Sequence, residues 1–160
     1  MSIDEREFQK LEQTIDGHLE KLRRERKRFR ELMEDFDPVE GPADWRHTEN
    51  LANRLHDLYM GAEHIFERIA KVVDESTPDG DDWHKELLLQ MSRSRETRPA
   101  VIDAELRTAL VRYLRFRHFF RQGYGIDTEW DKMTELVADY EDVSSDLLEA
   151  VEEFLEDIRP

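Results

Sequence analysis

Between Leu106 and Tyr124 the chain gathers the side chains best suited to phosphate and proton chemistry. Arg112, Arg115, Arg117, His118 and Arg121 fall within ten residues, followed by Gln122 and Tyr124. No Asp or Glu lies between Arg107 and Arg121, although the chain as a whole is strongly acidic, with a net charge of −15. A guanidinium stays charged and presents a planar fork matched to phosphate oxygens. Histidine titrates near neutrality and can take or give a proton. The spacing also carries information. Leu106, Leu110, Tyr113, Arg117, Phe120 and Tyr124 recur at steps of three and four, which is one face of an α-helix. Arg117 thus occupies a place where the seam calls for an aliphatic side chain. Arg117 and Arg121, like charges one turn apart, repel by a few tenths of a kcal/mol. Keeping both implies an anionic partner or a compensating acid from another helix.

Composition narrows the chemistry. The chain has 160 residues, 39% of them charged, and no cysteine. That length suits one domain, 1–160, with a real core. Without cysteine there is no disulfide, thiolate metal site or thiol nucleophile. The acidic balance argues against nonspecific coating of nucleic acid but leaves room for a small basic cleft, because charge is screened over about 8–10 Å. The apolar runs fall short of the ~20 residues that span a bilayer, and no secretory h-region is expected. A cytoplasmic protein with no membrane partner is the expectation. There is no Gly-rich phosphate loop and no GxSxG elbow. Helical-bundle metal sites typically use Glu-x-x-His pairs. Only Asp44/His47 and Asp81/His84 approach that spacing, and both read as N-cap aspartates beside a surface histidine. Neither a metal nor another cofactor is expected.

The elements that must position the cationic stretch follow from periodicity and punctuation. A first helix is expected from about Asp4 to Glu34, with Phe8, Leu11, Ile15, Leu22 and Phe29 inward and an interruption near Gly17, where glycine costs about 1 kcal/mol against alanine. A loop with Pro38, Gly41 and Pro42 follows. The second helix carries the heptad Leu51, Leu55, Leu58, Ala62, Ile65, Ile69, Val72. Pro78 and Gly80 break the chain before a short helix from about Asp82 to Met91, and an Arg-rich linker runs from Ser92 to Pro99. The fourth helix starts near Asp103 and ends around Gly123 and Gly125. The last starts near Asp127 or Thr128 and carries Trp130, Met133, Val137, Tyr140, Leu147, Val151, Phe154 and Ile158 inward. The expected fold is all-α: an antiparallel bundle of four long helices plus one short helix. The basic run Lys21 to Arg30 reads as a solvated face pairing with acidic neighbours, the other reading being an RNA-backbone track. Trp83 and His84 read as bracing the short helix.

The stretch LRFRHFFRQGYGIDTEWDKM, Leu114 to Met133, resembles the signature region of HepT-like proteins, part of the wider HEPN group of helical nucleotide-binding and ribonuclease domains. The segments LYMGAEHIFERIAKVVDES and DDWHKELLLQM, between Leu58 and Met91, resemble that family's central helices in the same order. The resemblance implies a bundle that homodimerises with its signature helices meeting across the interface. It further implies a metal-independent ribonuclease site there, and a small nucleotidyltransferase antitoxin that transfers AMP to a signature tyrosine. The family signature is arginine, four residues, histidine, one residue, tyrosine. Here Arg117 takes the arginine position and Tyr124 the tyrosine position, while Gln122 stands at the histidine position. A looser group-wide pattern, arginine then histidine after four to six residues, is met by Arg112 and His118. Tyr59 and Glu63 lie in a region the family uses to line its bundle.

Cleavage of RNA by its own 2′-hydroxyl needs that proton removed, the leaving oxygen protonated and the phosphorane charge stabilised. Glutamine can hydrogen-bond phosphate but cannot exchange a proton at neutral pH. Losing a general acid or base removes about 10²–10⁴-fold in rate. On an ideal helix His118 stands one turn, about 6 Å, before Gln122, beyond hydrogen-bond reach. Arg117, His118 and Gln122 are therefore the candidate catalytic positions, Arg112, Arg115 and Arg121 the candidate RNA-phosphate contacts, and Tyr124 the candidate AMP acceptor. Each has a plainer reading. Arg117 could snorkel past the core edge, His118, Arg115 and Arg121 could be ordinary surface positions, and Tyr124 could plug a helix end. Two functions stay open: a toxin-type endoribonuclease, weakened or silenced at Gln122, or a noncatalytic module that binds a nucleotidyltransferase or nucleotide.

Overall fold

A computed structural model describes residues 3–37, 40–121 and 130–160, with side chains described up to 117 in the fourth helix and from 130 onward. Among the described residues the α-helices are α1 Glu5–Glu34, α2 Trp45–Ile69, α3 Trp83–Met91, α4 Ala104–Arg121 and α5 Trp130–Ile158, and a π-helical turn, Ala70–Asp74, prolongs α2. Among the described residues there is no strand, only two isolated bridges, Asp37 with Gly41 and Arg95 with Arg98. Gln122, Tyr124, Asp127 and Thr128 lie outside the described residues, as do the side chains of His118, Phe120 and Arg121.

The helices start where their caps are. The Asp4 carboxylate accepts from Glu7 N at 2.8 Å, Asp44 from His47 N at 3.0 Å and Asp103 from Leu106 N at 2.7 Å. Each cap satisfies a backbone donor that has no partner inside its helix. Asp82 precedes α3 without a side-chain cap bond. The N-cap reading therefore holds at Asp44 but not at Asp81. Neither histidine is a plain surface residue. His47 is buried, its Nε2 lying 2.7 Å from the Leu32 carbonyl, and His84 turns toward α2.

The cross-links give the topology. Between α1 and α5 the partners run in opposite order: Glu12 with Arg159, Arg23 with Glu152, Arg26 with Ser144 and Arg30 with Glu141. Glu25 with Arg54 and Leu32 with His47 set α1 against α2 in the same way. Arg112 with Asp139 and Tyr113 with the Leu136 carbonyl fix the near end of the α4–α5 pair. The result is an antiparallel bundle. α2 sits centrally, packed on α1, α3, α4 and α5. Its heptad residues from Leu51 to Ile69 are fully buried, and Val72 is partly so. The basic run on α1 meets acids of α5, as a solvated, paired face should.

Gly17 does not interrupt α1. The helix passes through it on the solvent side, where an added Cβ would meet nothing within 4 Å. The cost of one exposed glycine, about 1 kcal/mol, is small beside the packing of a thirty-residue amphipathic helix. At the far end of α2 the π turn closes on Glu75 in the left-handed region, φ 52°. It carries Asp74 to the Ser92–Pro99 linker. There Arg98 reaches both Asp74 oxygens, at 2.6 and 2.8 Å, and also the carbonyls of Gln90, Arg93 and Pro99. The arginine-rich linker is thus a fastened corner of the bundle.

Candidate functional site

The middle of α2 turns three polar or polarisable side chains, Tyr59, Met60 and Glu63, toward α3 and α4. Tyr59 and Glu63 are one turn apart and both buried, Glu63 at 2% exposure. From α4 comes Arg117, in line with the fully buried Leu110 and Tyr113, and itself only 9% exposed. Its Nε–H donates to the Met60 sulfur at 3.0 Å. A thioether is a weak acceptor. Among the described residues, that contact leaves the other guanidinium donors for an anion. From α3 comes His84, whose Nδ1 lies 2.6 Å from Glu63 Oε2. The His84 ring also packs on Trp83, with centroids 3.7 Å apart.

These groups feel one another. Burial drives the Tyr59 phenol far above its ordinary range, the Glu63 charge and hydrogen bond add to that, and Arg117 opposes it. Tyr59 is therefore a neutral hydroxyl donor at any working pH. Three helices thus hold Tyr59, Glu63, His84 and Arg117 as one electrostatic cluster in the hydrophobic core. Burying charge this way costs stability unless partners repay it. Such expense concentrates at functional sites.

The cluster opens outward through His84. Its side chain is 24% exposed and helps line a cleft of about 430 Å³ with Asp81, Asp82, Lys85, Leu114 and Arg115. Arg115 also borders a second cleft of about 320 Å³, lined by Arg112, Phe116, Lys132, Glu135 and Leu136. Arg115 is exposed and stands between the two. Arg112 is engaged by Asp139 at 3.0 Å and faces Glu135 at 3.9 Å. A phosphate contact from Arg112 would therefore compete with α5 carboxylates. A third groove, about 580 Å³ between α4 and α5, carries Asp103, Glu105, Asp142, Asp146, Glu149 and Glu153 and suits no polyanion.

The structure thus brings Arg112 and Arg115 to one cleft, and turns Arg117 inward onto Met60 of α2. His118 and Arg121 follow on α4, and Gln122 and Tyr124 come after its described end. Local spacing did not reveal the Glu63–His84 pair, because its members are 21 residues apart. Among the described residues, no group of three or more His, Asp or Glu side chains is arranged to hold a metal ion, and no helix is long and apolar enough to cross a membrane.

The sequence profile of the family described as HepT-like protein matches residues 50–158, from α2 to the end of α5. The chain belongs to the HepT-like family. No curated protein and no solved structure matches it. The matched region contains every member of the buried cluster and leaves out α1.

Proposed function

We propose that this protein is a toxin-type, metal-independent endoribonuclease of the cytoplasm, acting at a cleft between two protomers and controlled by AMP transfer to Tyr124 from a partner nucleotidyltransferase. The observation that supports this reading most is the burial of Arg117 against Met60, within electrostatic reach of Tyr59. A snorkelling arginine would carry its head into water; this one does not. In the proposed site Arg117 stabilises charge on the phosphorane, with Arg115 and Arg121 drawing in the RNA backbone and Arg112 joining when it leaves Asp139. His118 and Gln122 are the candidate proton-handling positions that accompany Arg117. AMP transfer would join the Tyr124 oxygen to the α-phosphate of ATP and release pyrophosphate. It would set a negative phosphate among the arginines and obstruct RNA.

Gln122 favours a second reading, in which the same cleft binds nucleotide or nucleotidyltransferase without cleaving RNA. A direct comparison on tRNA and mRNA separates the two. The ribonuclease reading predicts that Gln122→His cleaves RNA faster than the wild type, by up to about 10²–10⁴-fold. RNA left intact by both proteins would leave the binding module. For control, incubation with the partner nucleotidyltransferase and ATP should add one AMP to the wild type and none to Tyr124→Phe. An equal mass gain on both would refute Tyr124 as the acceptor.

A further inference from the structure

We propose that His84 and Glu63 form a proton-transferring pair that activates the ribose 2′-hydroxyl for attack on the RNA internucleotide phosphodiester, in place of the histidine that Gln122 replaces; this rests on the ribonuclease reading above. A histidine serves as a general base when one ring nitrogen is fixed by a carboxylate and the other is open to substrate. Glu63 supplies the first condition. It is buried, accepts from His84 Nδ1–H at 2.6 Å, and is hydrogen-bonded by Tyr59 as well. With Nδ1 protonated, the basic nitrogen is Nε2. Trp83 holds the ring from one face, at 3.7 Å between centroids. The second condition is met by the cleft, which His84 lines together with two cations, Lys85 and Arg115.

The cleft suits one phosphodiester better than a run of them. Asp81 and Asp82 balance Lys85 and Arg115 at its walls, so the cations can engage a single phosphate while the carboxylates accept from sugar hydroxyls or base amino groups. In the step itself, His84 Nε2 takes the proton of a ribose 2′-hydroxyl. The 2′-oxygen forms a bond to phosphorus, and the bond from phosphorus to the 5′-oxygen breaks. The departing 5′-oxygen takes a proton from solvent water, and the imidazolium returns its own to solvent. The products are a 2′,3′-cyclic phosphate and a 5′-hydroxyl end. His84 touches the substrate in this scheme; Glu63 is a positioning residue that acts through it.

A merely structural His84–Glu63 brace would look the same in a stability measurement, so the test reads a pH profile. Cleavage of a short mixed-sequence RNA by the full chain is followed between about pH 5 and 8, where histidine changes charge. The wild type should leave cyclic phosphate ends, with kcat/KM rising with pH on an acid limb. His84→Gln should lower kcat/KM by about 10²–10⁴-fold and abolish the limb. Glu63→Gln should keep the limb while lowering kcat/KM, since the imidazole loses the carboxylate that orients it. Because His84→Gln alone strands a buried carboxylate, the double variant Glu63→Gln/His84→Gln provides a neutral pair and must show the same loss while melting cooperatively. Wild-type cleavage that survives the double variant with its acid limb intact would overturn the proposal. An inert wild type beside an active Gln122→His would also overturn it, while leaving the ribonuclease reading standing. Inert RNA with both would remove the reading and the pair together.

Discussion

Two buried carboxylates on α2 and its π extension each hold a basic side chain from later in the chain, and they are built in opposite ways. Asp74 and Arg98 are both fully shielded, and the guanidinium is saturated by two carboxylate contacts and three carbonyls. Gln90 adds a hydrogen bond to Asp74 at 2.7 Å. Burial alone would raise the Asp74 carboxyl, but Arg98 and Gln90 more than offset it and hold it below the usual range. Glu63 and His84 make a single direct contact, and the histidine faces a cleft. The cation beside them, Arg117, rests on sulfur. One pair is closed and structural. The other spends burial on groups that stay available to a ligand.

Breaking the closed pair should have the largest effect on the fold. Arg98→Ala leaves Asp74 buried without its partner and should cost about 3–5 kcal/mol in urea or guanidinium unfolding. The sign with pH follows from Asp74. Its folded pKa is depressed, so its contribution is fully present above the ordinary carboxylate value of 3.8 and is lost as pH falls through the lower folded value. The gap between wild type and Arg98→Ala should therefore narrow as the medium is acidified below that range. A gap that widens there would contradict the assignment.

The smallest effect should come from a place that neither pair touches. Gly17→Ala fills open space on the exposed face of α1 and should stabilise the protein by about 1 kcal/mol, seen as a higher urea midpoint. A lower midpoint would mean that α1 is not continuous there.

The contrast explains which parts of the molecule the sequence reveals. The seams of α1, α2 and α5 are periodic because each helix buries one face, and the structure buries Phe8, Leu55 and Val151 as that periodicity requires. Asp44 and Asp103 mark helix starts because the cap bond is local. Arg117 is legible as an intruder for the same reason: the register says what should stand there. The Asp74–Arg98 pair spans 24 residues and the Glu63–His84 pair 21, so no local spacing announces either. The first also depends on a π turn that re-aims Asp74, and neither periodicity nor composition encodes that. Gly17 misleads in the other direction. A residue-level propensity of about 1 kcal/mol gives way to the packing of a whole helix.

The central claim is that Arg117 is kept in the apolar seam of α4 to meet phosphate, and one substitution tests it on both sides. The Arg117 Nε–H donates to a thioether rather than a carboxylate, so a hydrophobe of similar length relieves the cost of burying its charge, while removing a charge-stabilising donor costs about 10²–10³-fold in rate. Arg117→Met, measured for urea stability and for RNA cleavage in parallel, should be at least as stable as the wild type and cleave RNA about 10²–10³-fold more slowly. A variant that loses stability but cleaves at the wild-type rate would show that Arg117 serves the fold and not the phosphate.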